Sequence, residues 1–356
     1  MMKLKPIYLF MLAVALVLTA GLPLVMRARD AMVSAPPTEP TMVTTVPTEP
    51  PTEPPTEPQP VVYTLSFVGD CTLGCTDTVR EYESGFAKVV GENYNYPMEN
   101  VRHIFEADDF TIANLEGPLT EEGQKAQKQF AFRGSPAYTA ILTGSSIEAV
   151  TTANNHILDY GYTGQKNTAA ALDAAGVAHA GREGSFLYTT ESGLTIGVYC
   201  DDFAFDKAHI KDSIASLREQ GAEVVICAFH WGEEKVYTPN GNQTTWAHIA
   251  IDAGADVVYG HHPHVLQPIE YYGSGVIFYS LANFCFGGNG NPSDKDTAIV
   301  QQQFVRDPDG TLTMGDTIAI PCSVSSVSSH NDFRPTPMEE GSEGYLRVMS
   351  KLGLAD

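Results

Sequence analysis

The chain has 356 residues, 43 acidic side chains against 21 Lys and Arg, and a formal net charge of −22. All but five of the acids lie beyond residue 60, so the negative charge belongs to the folded part. That balance excludes broad nucleic-acid binding, which needs a basic footprint, and a polyanionic substrate would have to be met by a local positive feature such as a metal ion.

The N-terminus sets the expected compartment. Lys3 and Lys5 precede an uncharged run from Ile7 to Met26. Twenty residues at helical rise span about 30 Å, the thickness of a bilayer's hydrocarbon core. The run is longer than the apolar core of a cleavable signal, and Leu18-Thr19-Ala20-Gly21 offers only the −1 small residue of a cleavage site. Residues 1–29 therefore read as a signal-anchor. Although Arg27 and Arg29 lie on the far side, the lysines and the α-amine favour an inside N-terminus, with one pass through the cell membrane and an extracellular domain. Residues 30–60 read as a linker: Pro-Thr-Glu-Pro occurs four times, a composition that stays extended near polyproline II and acts as a spacer.

From residue 61 to 356 the pattern is that of one domain, in which short apolar runs alternate with amphipathic segments. Strands are predicted at Val61–Val68, Phe110–Leu115, Ala149–Ala153, Leu194–Tyr199, Val224–Phe229, Val257–Tyr259, Val276–Leu281, Ala298–Phe304 and Thr311–Ile320. Helices are predicted at Thr163–Ala175, Ile210–Gln220, Thr245–Ala253 and Ser342–Leu352. Such alternation implies an α/β fold with a largely parallel sheet covered on both faces. The last strands follow one another without helices and suggest a second, mixed sheet. Six cysteines (71, 75, 200, 227, 285 and 322) lack paired C-x-x-C spacing and read mostly as core thiols.

Five of the apolar runs end in chemistry-bearing residues. Asp70 follows the first, Asn114 and Glu116 the second, and Asn154-Asn155-His156 with Asp159 the third; His230 ends a later one, and His261-His262-Pro263-His264 ends the last of the five. In open α/β sheets ligands sit at the carboxyl ends of strands. Carboxylate, amide and imidazole without thiolate suit one or two divalent ions such as Mn²⁺, Zn²⁺ or Fe²⁺. Taken singly, an acid such as Asp70 after a strand is more often a turn residue or helix cap, and His230 alone reads also as a hydrogen-bonded core histidine; three histidines within four residues are harder to explain that way.

The motifs Phe67-Val-Gly-Asp70, Asn114-Leu-Glu-Gly-Pro118, Ala153-Asn-Asn-His-Ile-Leu-Asp-Tyr-Gly161, His230-Trp-Gly-Glu-Glu234, Gly260-His-His-Pro-His-Val265 and Tyr279-Ser-Leu-Ala-Asn-Phe284 together resemble the CapA family of poly-γ-glutamate capsule-synthesis proteins. The resemblance runs from about Tyr63 to Leu352. It implies a calcineurin-like metallophosphatase relationship and a four-layer α/β/β/α sandwich of the metallo-dependent phosphatase type. It further implies Asp70, Glu116, Asn155, His230, His262 and His264 as metal ligands and His156, held near Asp159, as general acid. Arg133 and Asn114 are the candidate substrate contacts, the alternative for Arg133 being an ordinary ion pair. Two departures stand out. Asp70-Cys71-Thr72 replaces the Asp-x-His of the phosphatase motif, leaving one metal position a ligand short, and the bridging acid arrives in Asn-Leu-Glu in place of Gly-Asp.

Two functions follow from that resemblance. One is a metal-dependent hydrolase acting outside the membrane on a phosphoester or a γ-glutamyl polymer. The other is a non-enzymatic accessory protein that uses the site as a metal-bridged clamp on an exported anionic polymer. Partners on either reading are the membrane, the polymer and capsule-synthesis membrane proteins.

Overall fold

The computed structural model describes residues 59–355. The expected anchor at Ile7–Met26 and nearly all of the expected linker lie outside the described residues. Among the described residues no helix is long and apolar enough to cross a membrane.

Among the described residues fourteen strands form two mixed sheets, which makes this an α/β fold. In chain order the strands are β1 (Val61–Thr72), β2 (Phe110–Leu115), β3 (Ala149–Thr151), β4 (Ala178–Ala180), β5 (Gly184–Thr189), β6 (Thr195–Asp202) and β7 (Val224–His230). There follow β8 (Val257–His261), β9 (Ile269–Tyr272), β10 (Gly275–Phe278), β11 (Asn283–Phe286), β12 (Asp296–Arg306), β13 (Leu312–Ser323) and β14 (Thr336–Pro337). The first sheet runs β14-β13-β12-β1-β2-β3-β4, with β11 beside the end of β1, and the second runs β5-β6-β7-β8-β10-β9. The helices are α1 (Asp77–Arg80), α2 (Phe86–Val90), α3 (Arg102–Phe105), α4 (Thr139–Thr143), α5 (Gly161–Ala175), α6 (Lys207–Glu219), α7 (Gly241–Asp252) and α8 (Glu343–Lys351).

Strand β7 shows why the sheets are covered on both faces. All seven of its residues are buried. Val224, Ile226 and Ala228 face the core between the sheets, where they join Leu65, Phe67, Phe110 and Ile112. Val225, Cys227 and Phe229 face a second core built with Ile210, Ile214 and Leu217 of α6 and Ala247, Ala250 and Ile251 of α7. A strand's two-residue period makes this division, and it leaves no position for a polar side chain until the strand ends. A third core lies outside the first sheet, where Val68, Leu115 and Val150 meet Phe86, Phe105, Ile141 and Leu172 of the neighbouring helices. Helices thus pack on the outer face of each sheet.

Helix starts follow their caps. Asn240 accepts from the backbone of Asn242 and Gln243 while the Gln243 side chain returns a bond to Asn240, a capping box that starts α7 four residues before the expected Thr245. Asp206 caps α6 through His209 N. The late strands correct one expectation. They extend the first sheet, β12 pairing antiparallel with β1 from Val61 to Phe67, while the second sheet is built from β5 to β10. All six cysteines are free and buried, and burial pushes the thiols of Cys71, Cys200 and Cys322 up to about 12.

Candidate metal centre

The carboxyl ends of β1, β2, β3, β7 and β8 deliver the expected residues to one place. Gly69 allows the first of these: a Cβ there would sit 2.1 Å from Ala282 O, so only glycine lets β1 pass so close to the segment before β11. The next residue, Asp70, then donates its N–H to Ala282 O at 2.8 Å and turns a fully buried carboxylate toward the site.

A relay of side-chain amides positions the acids. Asn114 Nδ2 donates to Asp70 Oδ1 at 2.8 Å. Asn154 Nδ2 donates to Asn114 Oδ1 at 3.0 Å and to Leu115 O at 2.9 Å, and Asn154 Oδ1 accepts from His156 N at 3.2 Å. Asn114 is fully buried, and its side chain is engaged with Asp70 and Asn154. Thr72, standing where the phosphatase motif has histidine, donates its hydroxyl to Glu116 Oε2 at 3.3 Å.

Around the two carboxylates lie four imidazoles. His264 Nδ1 is 3.1 Å from Asp70 Oδ2 and His261 Nδ1 is 3.3 Å from Asp70 Oδ1. His230 Nε2 is 3.8 Å and His264 Nε2 3.9 Å from Glu116 Oε1. Asn155 Oδ1 lies 3.0 Å from His230 Nε2. Three overlapping groups place one donor atom per residue within 4.8 Å of each other: Glu116, His230 and His262; Asp70, Glu116 and His264; and Glu234, His262 and His264. Glu116 shared between the first two is the arrangement a bridging acid needs.

The donor set fits a divalent cation. Glu116 Oε1, His230 Nδ1, His261 Nε2 and His262 Nδ1 are buried without a hydrogen-bond partner. Each such orphan costs about 1–3 kcal/mol, and a cation held by oxygen and imidazole donors would satisfy several at once. For three of the four imidazoles the electrostatics point the same way. Burial pushes His230 well below the ordinary range and, with His264 nearby, His262 down to about 4; burial also lowers His261. Those rings are neutral at pH 7 and their lone pairs are free to ligate. Burial opposes ionisation of Asp70, but hydrogen bonds from His261 and His264 overcome it and hold the carboxyl well below its ordinary value. Burial raises Glu116 to about 7. Burial would lower His264, yet the Glu116 and Asp70 carboxylates raise it to about 10.

His156 and Asp159 stand at the edge of this cluster. His156 Nδ1 is 2.7 Å from Asp159 Oδ2, which also accepts from Phe132 N at 2.7 Å, and Lys128 pairs with Asp159 Oδ1. Arg133 is placed elsewhere: its Nε and Nη2 each lie 2.9 Å from Asp77 Oδ1, its Nη1 donates to Glu121 O at 3.2 Å, and its guanidinium covers the Tyr160 ring at 4.7 Å. All three nitrogens are engaged in these contacts. His261, Lys128 and Asn154 carry parts of the site that the motif reading did not assign. His261 was visible in the histidine cluster; Lys128 gave no signal beyond its charge.

Fold and site together define an α/β protein with a buried oxygen-and-imidazole centre at its strand ends. The chain matches the family model of the bacterial capsule synthesis protein PGA_cap over residues 64–199 and 186–288, and it belongs to that family. It is 31% identical over 315 residues to the PGA biosynthesis protein CapA of Bacillus subtilis, covering 82% of this chain and 78% of that protein. It is 29% identical over 267 residues to the capsule biosynthesis protein CapA of Bacillus anthracis, covering 67% of this chain and 63% of that protein. Among solved structures it is similar to the NAD nucleotidase of Haemophilus influenzae, with a TM-score of 0.42 and 11% identity, over 84% of this chain and 64% of that one.

Proposed function

We propose that the protein acts in the synthesis or export of a poly-γ-glutamate-type capsule through a metal-dependent hydrolase site of the metallophosphatase type. On this reading Ile7–Met26 anchors it and the domain works outside the cell membrane. The observation that carries the proposal is the set of buried, unpartnered Glu116, His230 and His262 atoms beside an oriented His156–Asp159 pair. One or two divalent ions held by Asp70, Glu116, Asn155, His230, His262 and His264 would supply Lewis acidity and a water of lowered pKa. The chain's own residues do the rest. Asp159 fixes the His156 ring by accepting from Nδ1, which leaves Nε2 to hand a proton to a leaving group. Asn114 and Asn154 keep Asp70 and the His156 backbone in register.

The clamp reading draws support from Thr72, whose hydroxyl steadies Glu116 in place of an imidazole ligand. Assay of the metal-loaded protein on phosphoesters and γ-glutamyl peptides separates the two. Hydrolysis lost on His156→Ala supports the enzyme; metal-dependent polymer binding with no hydrolysis on any substrate supports the clamp.

A further inference from the structure

Beside the candidate metal centre opens a cavity of about 260 Å³ with aromatic rings on two of its sides. On one side Phe130 stacks on Phe132 (6.3 Å between ring centres, 21° between planes), and Phe132 lies 4.6 Å from the His156 ring. On the other, Phe286 stacks on His264 at 6.0 Å and 22°. Both rows therefore end on a histidine of the site. Gly288 lies against both: a Cβ there would come within 2.7 Å of Phe286 Cε2 and 3.0 Å of Phe132 Cζ. Tyr237 lines the outer part and is held in place although 47% exposed, its hydroxyl donating to Asp294 Oδ2 at 2.8 Å and Lys351 Nζ lying 5.0 Å from its ring centre. Phe130 stays 53% exposed although its ring stacks on Phe132.

We infer that this cavity is the subsite for a planar, uncharged ring on the alcohol side of a phosphoester. The inference rests on the hydrolase reading above and names its substrate class. Size agrees: a cavity of about 150 Å³ suffices for benzene, so this one has room for a ring system. The charged groups of the lining are largely engaged already: Asp294 pairs with Lys351 at 2.6 Å and His264 with Asp70 at 3.1 Å. Rings, by contrast, find edges and faces already fixed by neighbouring contacts. Geometry puts the phosphate of such an ester at the histidine ends of the two rows.

The test compares phenylphosphonate with methylphosphonate, titrated calorimetrically into the Mn²⁺-loaded protein and into Phe130→Ala and Tyr237→Ala, with metal content measured in each. Wild type should bind phenylphosphonate about ten-fold tighter, and each variant should lose most of that ratio while keeping its metal and its methylphosphonate affinity. Equal affinities in wild type, or a ratio untouched in both variants, would overturn the subsite and leave the metal-phosphoester reading standing. Binding of neither phosphonate by the metal-loaded protein would overturn both.

Discussion

Thr72 donates its hydroxyl to Glu116 Oε2 at 3.3 Å, both side chains being buried. A buried hydroxyl thus steadies the acid shared by two donor groups. Partners of this kind affect metal affinity by about 10–100-fold. Thr72→Val removes the hydroxyl at nearly constant volume, and metal titration should show a loss in that range with the fold intact. Unchanged affinity would make the contact incidental.

Glu234 is the third carboxylate within reach of the imidazoles, sharing a donor group with His262 and His264. Its loop is fixed by Lys235 N donating to Pro263 O at 2.8 Å. Glu234→Gln should weaken at least one bound ion by roughly ten-fold or more, read by competition with a chelator. Identical chelator curves for the two proteins would exclude Glu234 as a ligand.

His156 and the ligands should separate cleanly. His156→Ala keeps Asp70, Glu116 and the other imidazoles in place, so metal content should stay near wild type while any turnover falls by ~10²–10⁴. His262→Ala should lower metal content and turnover together. A His156 variant that loses its metal would move that ring from proton transfer to ligation.

Much of the site was legible because its residues stand where apolar runs stop. Phe110–Leu115 is a strand with the expected bounds, and Asn114 and Glu116 mark its end. What local pattern could not convey was partnership. The two amides after β3 look alike in sequence, yet Asn154 builds the scaffold of hydrogen bonds while Asn155 faces His230. Strands β12 to β14 carry no signal of which sheet they join, since pairing with β1 is set by tertiary packing. Helices α1 to α4 have only four or five residues each, too short for a helical period to show.

At the opposite end of the first sheet, burial raises Asp108 to about 6 and Glu148 to about 7. Both flank Thr111, whose hydroxyl donates to Asp108 and whose N–H donates to Glu148, each at 2.7 Å. A carboxyl raised in the folded state favours folding while protonated. That contribution is full below its unfolded value near 4 and is lost as pH rises through about 6 to 7. The denaturation midpoint should therefore drop between pH 5 and pH 8, and Glu148→Gln, which keeps an acceptor for Thr111, should shrink that drop. An equal drop in the variant would remove Glu148 from the account.

A divalent ion held by Asp70, Glu116, His230, His262 and His264 is open to direct measurement. Elemental analysis of the purified protein after incubation with Mn²⁺ or Zn²⁺ and removal of free metal should find at least one equivalent in wild type and a clear loss in His262→Ala. Less than about a tenth of an equivalent in wild type with either metal would contradict it.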